Sequence, residues 1–453
     1  MSRPSPANLV YLDNNATTPM DPRVIEHMAG VMRCDYGNPA STHHALGRRA
    51  AELVEHAREQ VARLIGAAAS EIVFTSGATE SCNLAIKGVV AMYARRGNHV
   101  VTCLGEHKAV LEPLQHLERH GLNVTRLAPD AFGRVSAGQV EVALTGQTLL
   151  ISIMAANNVV GSTNPIGEIG RVAKRRGVLF HCDATQAVGR TPIDVTAMEI
   201  DLLSLSAHKF HGPKGVGALW VRGQSPRVRL AAQIDGGGQE NGLRGGTLNV
   251  PGIAGMGLAC ELARNELEAD AQRVKALRDR LFAGLANRLC DVVLNGHPSD
   301  RLPNTLNVSF LGVEATELIA RLPEIAASVG AACTSDEDDP HYVLRAMGLA
   351  EDRMAGSVRF SLGRFTTQND IDHCIQRVVD AVDGLRDRHP QPPTRCACPA
   401  GCCTTNTQNR TLSLETPILP SSGSTHRLAA LPPREAMEAR GTASRVPLAL
   451  FGP

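Results

Sequence analysis

The stretch Leu202-Leu203-Ser204-Leu205-Ser206-Ala207-His208-Lys209-Phe210-His211-Gly212-Pro213-Lys214-Gly215-Val216-Gly217 carries the reading on which the fold turns. It begins as an apolar run of strand length and passes into a loop punctuated by glycines. Comparable runs lie at Glu71 to Thr75, His99 to Cys103, Leu149 to Met154, Val178 to Cys182 and Gly217 to Val221. Helix-period segments separate them, as at Ala45 to Ile65, where Leu53, Ala57, Val61 and Leu64 share one face. Strand and helix taking turns predicts an α/β fold: a mostly parallel sheet with helices on both faces. Ligands bind such sheets beyond the carboxyl ends of the strands, which is where Lys209 falls.

The 453 residues exceed what one core usually organises, so more than one domain is expected. Hydrophobic residues make up 43% and charged residues 20%, the balance of a globular chain, and 3% aromatics imply an aliphatic core. Forty-six Lys and Arg against 45 Asp and Glu leave a net charge of +1. That supplies no field for steering toward nucleic acid or anionic lipid, so neither is expected as a direct partner. The longest apolar candidate, Leu149 to Ala156, is far too short to span a membrane. Met1 to Val10 has the pattern of neither a signal peptide nor a presequence, so a cytoplasmic protein is expected. Twelve cysteines are too sparse for a disulfide scaffold.

Residues 21–258 read as the large domain, with the preceding segment 1–20 expected to pack on a smaller one. Beyond the Gly-rich stretch Asp235 to Thr247 the pattern changes. A long helical segment carries Val274, Leu277, Leu281, Leu285 and Leu289, followed by strands at Asp291 to Leu294, Thr305 to Phe310 and Ser357 to Leu362. Thr367, with Asp370 three positions on, reads as the N-cap of a last helix bearing Ile371, Ile375, Val378, Val382 and Leu385. Residues 259–389 are therefore assigned to a small α+β domain. From Pro390 onward, ten of the 26 prolines fall among Ser, Thr and Gly in 64 residues without a sustained period. That composition predicts a disordered tail, 390–453.

Lys209, aimed into the crevice, is placed to hold an aldehyde cofactor, since desolvation there favours a nucleophilic amine; a plain surface lysine is the alternative. Asp183 ends another strand, 26 residues earlier, and is followed by Gln186. A buried carboxylate there either faces a cation, such as the pyridine nitrogen of pyridoxal phosphate, or caps a following helix. Ser76-Gly77-Ala78-Thr79-Glu80 lies where a strand turns into a helix, and free backbone amides make that an anion seat. His107 follows a strand as well, where a neutral imidazole could stack on a ring and move protons or could be purely structural.

Glu71 to Ile86, Glu106 to Val110, His181 to Gln186, Ser206 to Gly217 and Val358 to Phe365 together resemble the cysteine desulfurases of the NifS/IscS type. These are pyridoxal 5′-phosphate enzymes of the aminotransferase-like fold, fold type I, class V. The resemblance runs from about Val10 to Arg388 and implies a role for each matching position. Lys209 would bond the cofactor aldehyde, Asp183 would pair with the pyridinium, and Gln186 would meet the phenolic oxygen. Ala78, Thr79, Ser206 and His208 would hold the phosphate, with Thr247 reaching it from the neighbouring subunit of a homodimer. His107 would cover the ring. Asn158 and Arg359 would orient the substrate, Arg359 through a two-pronged grip on its carboxylate that Lys could not reproduce.

Cys333, in Ser328-Val329-Gly330-Ala331-Ala332-Cys333-Thr334-Ser335, would take the sulfur of L-cysteine as a persulfide. It would pass it to an acceptor such as an iron–sulfur scaffold protein, and no metal site is implied beyond a transient iron–sulfur contact at this thiol. A buried structural cysteine is opposed by Asp336-Glu337-Asp338-Asp339, four carboxylates that need water. Gly330-Ala331-Ala332-Cys333 followed by Asp336 also resembles the selenocysteine lyases, whereas Lys108 and Thr334 look more like the desulfurases. Two positions depart from the desulfurase pattern, Val159 in place of a Glu and Asn241 in place of a basic residue. Cys396, Cys398, Cys402 and Cys403 in the tail are read as neutral to function, with a zinc site or a sulfur relay as the alternatives.

The acidic run beside Cys333 disfavours its thiolate. Alkylation of Cys333 in the unliganded protein is therefore expected to rise with pH along a curve displaced above that of free cysteine; an apparent pKa well below that reference would refute the effect.

Overall fold

A computed structural model describes residues 9–224, 226–329 and 341–387, all within one unit, 1–392. Cys333 with its flanking loop, and the tail with its four cysteines, lie outside the described residues.

Strands are numbered along the chain as β1 (Val10–Tyr11), β2 (Ile72–Thr75), β3 (His99–Cys103), β4 (Asn123–Leu127), β5 (Thr148–Ser152), β6 (Leu179–Asp183) and β7 (Leu202–Ser206), continuing with β8 (Gly217–Val221), β9 (Val292–Asn295), β10 (Thr305–Phe310), β11 (Ile325–Ala326), β12 (Ser328–Val329) and β13 (Ser357–Ser361). Seven of them form the main sheet in the order β2-β8-β7-β6-β5-β3-β4. β8 runs antiparallel to both its neighbours, and the other pairs are parallel. Successive residues feed different cores: Val101, Ile151 and Leu203 pack into one cluster, while Val100, Leu150 and Leu202 pack into another. Both faces are therefore covered, which is why these strands read as continuous apolar runs.

The helix Ala45–Ile65 buries Ala50, Val54, Ala57, Val61 and Ile65. Leu53 and Leu64, expected on that face, sit at its half-buried flanks. The switch to helical periodicity seen in sequence begins with the helix Val250–Ala286, whose 37 residues span about 55 Å. Its first half, with Ile253, Met256 and Ala263, joins the core of the main sheet, and its second half, with Val274, Leu281 and Leu285, joins a separate core. The division placed at 258/259 thus falls inside one continuous helix. Leu289 is buried beyond the end of that helix.

The second core lies under a four-stranded antiparallel sheet, β12-β13-β10-β9. Leu306, Val308, Phe310, Val358 and Phe360 alternate into it. The intervening residues Asn307, Ser309, Ser357, Arg359 and Ser361 are buried as well, although they are polar. They bond to one another, to Asn295 on β9, to the main-sheet loops and to residues 13–15: Ser357 donates to Asn307 Oδ1 at 2.9 Å, and Asn307 Nδ2 donates to Val159 O at 3.2 Å. This polar face brings Arg359 to the carboxyl ends of the main strands. The chain start closes the same seam, since β1 pairs with β11 and Asn14 N donates to Ser361 O at 3.0 Å.

The last helix, Gln368–Arg386, starts with a reciprocal cap. Asp370 N donates to Thr367 Oγ1 at 3.2 Å, and Thr367 N donates to Asp370 Oδ2 at 2.9 Å. Thr367→Ala removes one of these bonds and should cost about 1 kcal/mol, read as a lowered denaturant midpoint. An unchanged midpoint would mean that the cap contributes nothing.

Candidate active site

Five main-sheet strands, β2, β3, β5, β6 and β7, send side chains from their carboxyl ends into one cavity of about 480 Å³. Ala78, Thr79, His107, Asn158, Asp183, Gln186, Ser206, His208, Lys209 and Arg359 all line it. Thr247 instead lines a different cavity, beside Arg58 and Glu240. Within a single chain it is therefore not brought to the site.

At one end, Gly77 is the N-cap of the helix Ala78–Tyr93, with φ 155° and ψ 179°, a backbone that side chains with a Cβ rarely adopt. The helix thus opens directly onto the cavity, with its positive end and first amides facing inward. Burial acts to raise the pKa of the Glu80 carboxyl in that first turn. Hydrogen bonds from Ser76 N (2.8 Å) and Arg244 Nε (3.0 Å) more than offset this and hold it below the usual range. Burial, reinforced by the charges of Lys209 and Lys214, pushes His208 down to about 4, so its ring is neutral. Its Nδ1 lies 3.1 Å from Thr17 Oγ1.

Asp183 is 6% exposed. Its Oδ1 accepts from Thr185 N at 3.0 Å and from the Thr185 hydroxyl, which caps a turn rather than a helix. Lys209 Nζ donates to Asn15 O and Ala16 O, both at 2.7 Å. Gln186 Nε2 donates to Asn15 O at 3.0 Å. Arg359 is 1% exposed; its Nη1 donates to Asn158 O at 3.0 Å, and its Nη2 pairs with Asp13 at 2.7 Å. Among the described residues, Arg359 Nε and Asn158 Oδ1 are buried without a partner. Two unmet polar atoms on a cavity wall are what a polar ligand would satisfy.

The site fits pyridoxal phosphate on this chain's own chemistry. It offers a helix N-terminus for the phosphate, a carboxylate for a pyridinium and an amine for an aldehyde, all on the walls of one cavity.

Sequence reasoning missed the parts supplied by the chain start and by Arg190. Asp13, Asn15 and Ala16 bind Arg359 and Lys209, and Arg190 binds Asn15, Gln186 and Lys209. The signal available was the polar run Asp13-Asn14-Asn15 between an apolar pair and a helix. Glu106 carries no sequence signal beyond its place next to His107. It is fully buried, and its Oε1 accepts from Met154 N at 2.8 Å, tying the end of β3 to the end of β5.

His107 caps the helix Lys108–Glu118, its Nδ1 accepting from Ala109 N at 3.1 Å. That bond leaves the ring proton on Nε2. Burial lowers its pKa, the charge of Asp183 opposes this, and Lys209 and Lys108 add to the lowering. A lowered pKa means the neutral form persists to more acidic pH. In a proton-detected NMR titration of the cofactor-free protein, His107 should protonate only below its ordinary 6.5; a midpoint at or above that value would contradict the burial described.

Residues 10–374 match the family Aminotransferase class-V. The chain is 54% identical over 381 residues to cysteine desulfurase IscS of Anaeromyxobacter dehalogenans (strain 2CP-C), covering 84% of this chain and 94% of that one. Among solved structures, a NifS-like protein superposes with a TM-score of 0.78 at 39% identity, over 83% of this chain and 100% of the other. SspA in complex with cysteine superposes with a TM-score of 0.69, also at 39% identity, over 79% and 99%. The chain belongs to the class-V aminotransferase family, with the IscS-type cysteine desulfurases among its relatives.

Proposed function

We infer that this chain is a pyridoxal-phosphate-dependent cysteine desulfurase, which takes sulfur from L-cysteine, releases L-alanine and leaves a persulfide on Cys333. The observation that carries this is the shared cavity of Lys209, Asp183 and Arg359 at the mouth of the helix Ala78–Tyr93. The identity to IscS over most of both chains supports it.

When bound, pyridoxal phosphate supplies an electrophilic carbon and a ring that accepts an electron pair. Ala78, Thr79, Ser206 and His208 would seat its phosphate, Asp183 its ring nitrogen, Gln186 its phenolic oxygen and Lys209 its aldehyde. Arg359 would grip the substrate carboxylate, exchanging part of its present bonding to Asn158 O and Asp13 for it, with Asn158 Oδ1 as a second contact. The Lys209 amine, released as the substrate's amine binds, takes the proton from the substrate Cα. The neutral His107 ring, with its proton on Nε2, is available to exchange protons with the substrate thiol. The Cys333 thiolate forms a bond to the substrate sulfur while the carbon–sulfur bond breaks; the Cβ that loses sulfur takes up a proton, and the Cα regains the proton held by Lys209, so that the product leaves as alanine. Sulfur then passes from Cys333 to an acceptor thiol or an iron–sulfur scaffold.

The reading includes a homodimer in which Thr247 completes the phosphate seat of the other subunit. Its position in the lining of a different cavity from its own chain's site supports this. It also includes a large body around the main sheet and a smaller one, which carries Cys333, around the antiparallel sheet. No helix among the described residues is long and apolar enough to cross a membrane.

The purified protein should be yellow, and Lys209→Ala should abolish its near-visible band. Cys333→Ser should keep the band and lose persulfide formation with cysteine. Sulfide release that persists in Cys333→Ser would indicate a carbon–sulfur lyase instead, and persulfide-free turnover of selenocysteine alone would indicate a selenocysteine lyase.

A further inference from the structure

Arg190 is half-buried as a residue, yet its guanidinium is sunk in protein directly behind Lys209. Among the described residues no carboxylate offsets its charge; burial and the neighbouring Arg359 both disfavour the cation. All its acceptors are neutral. Nη2 donates to Lys209 O and to Asn14 O, both at 3.1 Å. Nη1 donates to Asn15 Oδ1 at 2.9 Å, to Gln186 O at 3.4 Å and to the Gln186 side-chain oxygen. The ring of contacts closes on the far side, where Gln186 Nε2 and Lys209 Nζ both donate to Asn15 O. A buried cation without a counter-charge is costly, and a neutral filler would avoid that cost.

We propose that Arg190 is a positioning residue for Lys209: its planar fork fixes the Lys209 main chain, the Gln186 side chain and the turn at Asn14-Asn15 in one arrangement. The reach of the amine into the cavity is thereby set from behind. The proposal rests on the cofactor reading of Lys209 given above. Arg fits the task because its two planar Nη groups serve five acceptors on three separate segments in one fixed geometry, more than the three donors of an ammonium can serve.

The test uses the cofactor-loaded full chain with Arg190→Met and Arg190→Lys, each checked for folding by far-ultraviolet circular dichroism. The specific readout is the circular dichroism of the near-visible band per mole of bound cofactor, which reports how firmly the ring is held. Both variants should lose about half or more of that signal. Their kcat for cysteine should fall about tenfold to a hundredfold, as expected for a misplaced catalytic group. Their KM should stay within about threefold, because Arg359 is untouched. A purely structural role would lower the melting temperature and leave the visible signal and kcat at the wild-type level, and that result would overturn the proposal. If Arg190→Met does not fold, Arg190→Lys decides by the same criteria. Lys209→Ala separates the two readings. Retention of the band there defeats the cofactor assignment, whereas its loss with wild-type behaviour in the Arg190 variants defeats this proposal alone.

Discussion

An amine and a carboxylate held on the walls of one cavity, at the carboxyl ends of parallel strands, impose the demand that the surrounding structure meets. Removing either charge from water costs several kcal/mol unless it is paired or hydrogen-bonded. Asp183 is held by Thr185, and Lys209 by two main-chain carbonyls of the chain start. Both line the same cavity, where a ligand that presents an electrophilic carbon at one end and a protonated ring nitrogen at the other would meet the amine and the carboxylate together.

The sheet makes this possible because it is buried on both faces and therefore stiff. Cores on either side fix β6 and β7 as neighbours, with Asp183 opposite Ser204, so the positions of Asp183 and of Lys209, just beyond Ser206, are set by backbone pairing. The antiparallel sheet adds the last element. Its inner strands turn an apolar face to their own core and a polar face to the main-sheet loops, which delivers Arg359 to the cavity although that residue lies 150 positions beyond Lys209. Around these charges, burial keeps His107 and His208 neutral, so neither adds a competing cation to the cavity.

What could be read from sequence follows from how local the determining physics is. β3 and β8 have the bounds that their apolar runs define, because a strand buried on both faces leaves an uninterrupted signature, and β10 keeps its expected bounds although Asn307 and Ser309 alternate with its apolar residues. β4 was not found. It lies at the sheet edge, and Asn123 to Leu127 are exposed or half-buried, so they carry no such run. β1, β11 and β12 are two residues each and exist through partners far along the chain. The same distinction holds at the site. Lys209, Asp183 and the turn at Gly77 sit at strand ends and were legible from local pattern. Arg190, Asp13 and Asn15 act through hydrogen bonds made across as many as 346 positions, which no local pattern reveals.

The central claim, that the amine at 209 and no other bonds the cofactor, has a close competitor inside the molecule, because Lys214 lines the same cavity. Borohydride reduction of the loaded protein, followed by proteolysis and peptide mass spectrometry, distinguishes the two directly. The account predicts the pyridoxyl mass on Lys209. Finding it on Lys214, or on no lysine of the cavity, would contradict the account.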